Sequence, residues 1–167
     1  MAIPDNKIFL GHTPVDQRKY ITAVLKHLVK THPKIVIPAV GQFTLVKCAI
    51  AAGYEKQNIY TSDISLFSSL LGYYFSGKSI DDIQFEIVND DYRAEYVLCQ
   101  SEAEKIAYLM WLMKAAQMSK IHYRKLMYDD LVENRKKHIA DIHGQVIAMR
   151  RQFEGIHYEL KDLRDEL

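Results

Sequence analysis

Cysteine is scarce in this chain: Cys48 and Cys99 are the only two among 167 residues. Two thiols without Cys-x-x-Cys spacing exclude a disulfide framework and point to a reducing, cytoplasmic setting. Proline is nearly as rare, and none of the four lies beyond Pro38. A dominant charge sign is missing too. Lys and Arg number 22 against 21 Asp and Glu, a net charge of +1. The whole molecule therefore has no field to gather nucleic acid non-specifically, although a local basic patch is compatible with that total. No apolar run is long enough to span a bilayer, and residues 1–7 lack the basic-then-apolar pattern of a signal peptide. No membrane partner is expected. The seven histidines include no i, i+4 pair, and His138 and His143, five apart, share no helix face. No metal is expected. Gly-x-Ser-x-Gly is absent as well, which removes a nucleophile elbow.

What is present is ordinary globular composition, 49% hydrophobic and 26% charged. Residues 14–31 read as a helix. Pro14 suits its first turn, Ile21, Val24, Leu25 and Leu28 share a face, and His32-Pro33 ends it. The β-branched run Lys34-Ile35-Val36-Ile37-Pro38 reads as a buried strand, followed by a turn at 39–41 and a helix over 42–52 that Gly53 stops. A second strand over 58–61, closed by Ser62-Asp63, leads into a helix through Leu66, Leu70 and Tyr73 to Gly77. The alternation over 84–88 suggests a third strand, with Asn89-Asp90-Asp91 as a turn after it. Helix and strand alternate, so the expectation is an α/β fold with a parallel sheet over 1–98. Residues 99–167 read as a helical arm.

That arm carries a heptad. Ile139, Ile142, Val146, Met149, Phe153, Ile156, Leu160, Leu163 and Leu167 are spaced 3 and 4 in strict alternation. The spacing predicts a coiled coil over 139–167, and the opposite charges of Glu159 and Arg164 favour a parallel homodimer. The alternative is an intramolecular hairpin, with the seam on Ile106, Leu109, Met113 and Ile121.

The chemistry concentrates between residues 34 and 63. A strand, a turn containing Gly41, a helix, a second strand and then an acid follow in order, with Asp63 22 positions after Gly41. In nucleotide-binding folds the glycine turn admits the ligand, the following helix points its N-terminus at it, and the acid receives ribose hydroxyls. A single glycine suits a nucleoside cofactor without phosphates better than a dinucleotide. The structural alternative is a βαβ unit in which Gly41 only makes the turn and Asp63 caps the next helix.

At these residues the chain resembles a known family. Ile37-Pro38-Ala39-Val40-Gly41-Gln42-Phe43 is similar to the Pro-Phe-x-Gly-x-Gly cofactor loop of Dam-type DNA adenine methyltransferases. Thr61-Ser62-Asp63-Ile64-Ser65 is similar to their Asn-Asp-Ile-Asn segment. The resemblance covers roughly residues 8–77. It implies a partial Rossmann-like methyltransferase sheet and S-adenosylmethionine as cofactor, bound by Pro38, Gly41, Phe43 and Asp63. Phe43 stands where the family has its second glycine, and Ala39 where it usually has phenylalanine. The family's catalytic Asp-Pro-Pro-Tyr motif, which holds the flipped target base, is missing; none of the four prolines supplies it. The resemblance therefore implies a fragment or relative of a methyltransferase, an N-terminal piece inactive by itself. It also puts Arg124, Lys125, Arg135, Lys136 and Lys137, with Tyr123 and Tyr128 among them, in the position of target recognition, where DNA would be contacted. A solvated helix face is the alternative there, since Asp129, Asp130 and Glu133 interleave. The other functional reading is a non-catalytic assembly or regulatory protein on a degenerate methyltransferase fold, acting through its coiled-coil arm.

Overall fold

The computed structural model describes residues 13–120 and 124–162. The chain divides into two units: residues 81–152, and the segments on either side of them, whose described parts are 13–80 and 153–162.

The split unit is mixed α/β. Helix α1 (Val15–Leu28) precedes strand β1 (Ile35–Ile37), and α2 (Thr44–Ala52) follows it. A 3₁₀ turn (Lys56–Asn58) leads into β2 (Ile59–Asp63), then α3 (Leu66–Ser76). Gly53 and Gly77 close α2 and α3 in the left-handed conformation, as their positions in the sequence suggest. The sheet has three parallel strands in the order β1-β2-β3, and β3 is His157–Leu160.

Two sequence expectations are corrected by this topology. Residues 84–88 form no strand. The Ile87 carbonyl accepts both Nε and Nη2 of Arg93, at 3.1 and 3.0 Å, so a side chain satisfies the group a neighbouring strand would have used. Asn89-Asp90-Asp91 opens a helix instead, with the Asn89 side chain accepting Tyr92 N–H at 3.0 Å.

The second correction concerns the heptad. Its helix runs only from Arg135 to Phe153. Gly155, at φ +99°, turns the chain out of the helix and donates its N–H to the Phe75 carbonyl at 3.1 Å. Leu160 then belongs to a strand, and Leu163 and Leu167 lie outside the described residues. The expected coiled coil over 139–167 is thus cut at Phe153. Ile142, Val146, Met149, Phe153 and Ile156 are all buried within the chain, so most of the seam is unavailable to a parallel partner.

Tyr158 fastens β3. Its ring lies against α3 where residue 72 is glycine, and a Cβ at Gly72 would overlap that ring. Its hydroxyl donates to the Asp63 carbonyl at 3.0 Å and lies 3.0 Å from Ser69 Oγ. Lys78 Nζ donates to the Tyr158 carbonyl at 2.6 Å. Burial pushes the phenol well above its ordinary pKa, so it remains a neutral donor.

The other unit is helical: α4 (Asp90–Val97), α5 (Glu102–Ser119), α6 (Lys125–Glu133) and most of α7 (Arg135–Phe153). The Ser101 side chain caps α5, accepting Glu104 N–H at 3.2 Å. Fully buried Trp111 donates Nε1–H to the Leu131 carbonyl at 2.9 Å, joining α5 to α6. Glu95 accepts the Tyr108 hydroxyl at 3.0 Å and Arg135 at 2.9 Å, and the Arg135 guanidinium sits 5.4 Å from the Trp111 ring centre. Among the described residues no helix is long and apolar enough to cross a membrane.

Candidate cofactor site

The loop Pro38–Phe43 connects β1 to α2, at the end of the sheet where β2 delivers Asp63. Its backbone is unusual. Ala39, Gly41 and Phe43 have φ of +51°, +53° and +61°. For the two non-glycine residues this left-handed conformation costs roughly 1–2 kcal/mol each. Strain of that kind persists only where the surroundings fix it, and here they do. Val40 N–H donates to the Ser62 carbonyl at 3.0 Å, and Phe43 N–H donates to the Val40 carbonyl at 3.0 Å.

Gly41 is held from both sides. Its N–H donates to Asp63 Oδ2 at 2.9 Å, and its carbonyl accepts Ser68 Oγ at 3.0 Å. Ser68 in turn accepts Ser65 Oγ at 2.7 Å. The other Asp63 oxygen, Oδ1, accepts Ser65 N–H at 2.9 Å. A Cβ at Gly41 would meet only the Ala39 carbonyl, at 3.9 Å. Backbone conformation rather than crowding requires glycine there.

Asp63 is therefore not the cap of α3; the Ser65 side chain caps it, accepting Ser68 N–H at 3.3 Å. The Asp63 carboxylate has one hydrogen bond per oxygen, which leaves about two of its four lone-pair positions for a ligand diol. Beside it, the Ser62 hydroxyl is buried with no hydrogen-bond partner among the described residues.

Phe43 differs from the other loop residues. Its ring is fully buried, edge-on to Phe75 at 5.1 Å and stacked on Phe153 at 5.8 Å. Only its backbone, at the start of α2, faces the loop. The position where the resembled loop has glycine keeps a glycine-like φ, and a buried aromatic cluster fixes it. Pro38 is half-buried at the entrance to the loop. Sequence reasoning missed Ser65 and Ser68. Their serine-x-x-serine spacing at a helix start is an N-cap signal, but nothing in it indicates the contact to Gly41.

The basic residues of the second unit are not gathered into one free patch. Arg135 is committed to Glu95, and Arg124 Nη1 lies 3.8 Å from Met118 Sδ. Lys125, Lys136 and Lys137 are exposed. Asp130, between them in sequence, bonds Asn134 and His138. Tyr123 lies outside the described residues. Among the described residues no His, Cys, Asp and Glu group is placed to hold a metal.

No curated protein and no solved structure matches the chain. The family described as Phage DNA Adenine Methylase-like domain 1 matches residues 9–167. Because that match spans nearly the whole sequence, the cofactor-like loop and its acid included, the chain belongs to the phage DNA adenine methylase-like domain 1 family.

Proposed function

We propose that this chain supplies the S-adenosylmethionine-binding part of a DNA adenine methylation system whose base-holding motif lies in another polypeptide segment. One observation carries the reading: the Gly41 amide is tied to the Asp63 carboxylate across 22 residues. That contact shapes a glycine loop against an acid at the ends of two adjacent parallel strands, where α/β folds receive nucleosides. Asp63 would accept the ribose hydroxyls through its remaining lone pairs, and the backbone around Gly41 would line the cofactor. The Ser62 hydroxyl is an unsatisfied polar group beside them. The bound cofactor supplies an activated methyl group; the chain's own residues bind and orient it.

DNA is the matching macromolecular partner. Lys125, Lys136 and Lys137 are exposed enough to contribute, whereas Arg135 would first have to leave Glu95. Self-association through the heptad seam is not part of the proposal. A second reading, a non-catalytic assembly or regulatory protein, is favoured by one observation: both Asp63 oxygens already hold backbone, Oδ2 the Gly41 amide and Oδ1 the Ser65 amide.

Calorimetry separates the two. S-adenosylmethionine should release heat on binding, and Asp63→Ala should weaken it roughly tenfold or more, since a hydrogen bond to a charged acceptor is worth about 1.5–3 kcal/mol. The chain alone should leave unmethylated DNA unlabelled by methyl-labelled cofactor. No heat at millimolar cofactor would remove the first reading and leave the second.

A further inference from the structure

Between Asp16 and Glu55 the chain carries no acidic residue. Those 38 positions hold six basic ones: Arg18, Lys19, Lys26, Lys30, Lys34 and Lys47. Only 16 of the 22 basic residues are left to face all 21 acidic ones elsewhere. The near-neutral total thus hides a basic segment on an otherwise acidic chain. Most of that charge lies on α1 and the turn after it.

Lys19 and Lys26, seven apart, share one stripe of α1, and Lys30 lies in the turn that follows it. All three are exposed, and α1 buries none of its residues. The Lys19–Asp16 pair, at 3.9 Å, has side chains 76% and 98% exposed, and such pairs hold their partners weakly. Lys26 and Lys30 make no ion pair with a described residue. Beside the stripe runs an open groove lined by Val15, Arg18, Lys19, Thr22, Ala23 and Lys26. Small Thr22 and Ala23 leave room for a chain to approach between the cations.

We propose that α1 is a seat for the sugar–phosphate backbone of duplex DNA. This deepens the methylase reading by naming the surface the DNA follows, and it rests on that reading only for the identity of the polyanion. The dimensions agree. The seven-residue interval from Lys19 to Lys26 spans about 10 Å of helix, against one duplex charge per ~1.7 Å of axis. The segment 124–137 is the weaker competitor, because Arg135 is committed to Glu95 and Asp129, Asp130 and Glu133 interleave its cations.

The test is fluorescence anisotropy of the intact chain with a random 20-base-pair duplex between 50 and 200 mM KCl. Three phosphate contacts contribute about −2.7 to the log–log salt slope, so roughly a fortyfold fall in affinity across that range. K19E/K26E/K30E should lose at least tenfold in affinity at 100 mM and flatten the slope by about 2.7, with its circular dichroism unchanged. K19Q/K26Q/K30Q should show a smaller loss in the same direction. The proposal is overturned if the unmutated chain does not bind, or if the reversal on α1 changes nothing. A greater loss for K125E/K136E/K137E than for the α1 reversal would also overturn it. Calorimetry with S-adenosylmethionine on the unmutated chain keeps the readings apart. Heat without DNA binding sinks the seat on α1 alone; DNA binding without heat sinks the cofactor reading alone.

Discussion

Replacing Gly72 by alanine should destabilise the chain, although alanine is the better helix former. In an unobstructed helix the exchange gains roughly 0.8–1 kcal/mol. At position 72 the added Cβ would overlap the Tyr158 ring, and overpacking of a filled site typically costs about 1–3 kcal/mol. The ring has little room to move. It is buried, its hydroxyl is bonded to the Asp63 carbonyl and to Ser69, and Phe43 and Tyr73 flank it. A net loss near 2 kcal/mol is expected, or about 4–8 °C in melting temperature for a chain of this size. Tyr158→Ala should itself cost about 3–5 kcal/mol by analogy with other buried aromatics. In that background Gly72→Ala should become stabilising by about 1 kcal/mol. The sign reversal, a coupling of roughly 3 kcal/mol, can be measured by urea denaturation of the four proteins. Because Tyr158 also holds the strand that ends in Asp63, Gly72→Ala should weaken S-adenosylmethionine binding. A neutral or stabilising Gly72→Ala in the unmutated background would refute the packing argument.

Other outcomes follow from the same contacts. Phe43→Gly should be more stable than Phe43→Ala by about 1 kcal/mol, because alanine keeps the cost of φ +61°; equal stabilities in urea would contradict the strain. Glu95→Ala leaves Arg135 and the Tyr108 hydroxyl without their shared acceptor. About 1–2 kcal/mol should be lost, limited by partial exposure of the pair, with a shift in Trp111 emission. Hydrogen bonds from Asn134 and His138 hold the Asp130 carboxyl below its ordinary pKa of 3.8. Its contribution is complete above that value and lost as pH falls through the depressed one, so an acid titration followed by NMR should show the α6–α7 joint loosening only below pH 3.8. Light scattering at micromolar concentration should give a monomer, since the seam needed for the coiled coil is buried within the chain.

The start of the split unit was legible because each element there depends on its own residues. Ile35-Val36-Ile37, Gly53, Gly77 and the 22-residue interval from Gly41 to Asp63 are local signals, and the two strands and three helices stand where those signals put them. The loop was legible as a glycine turn, but not the way it is held. Asp63 reaches back to the Gly41 amide and Ser68 to its carbonyl, and no local pattern specifies which partner a carboxylate or a hydroxyl takes across 22 or 27 residues. By the family resemblance Phe43 reads as a residue of the cofactor loop. It proves to be a core residue because its partners Phe75 and Phe153 come from distant segments.

The third strand shows where periodicity misleads. Phe153, Ile156 and Leu160 keep the 3-and-4 spacing of a helix, while Ile156 and Tyr158 keep the alternation of a strand. Three matches outweigh two when positions alone are compared. Gly155 decides otherwise. At φ +99° it takes a conformation that ends a helix, and beyond it the backbone gains what a helix could not supply. Thr61 Oγ1 donates to the His157 carbonyl at 2.7 Å, the ladder runs from Tyr60–His157 to Asp63–Leu160, and the Tyr158 ring enters the space that Gly72 leaves open. The same segment therefore serves the site twice. It completes the sheet beside β2, and through the Tyr158 hydroxyl it fixes the carbonyl of the residue whose carboxylate shapes the glycine loop.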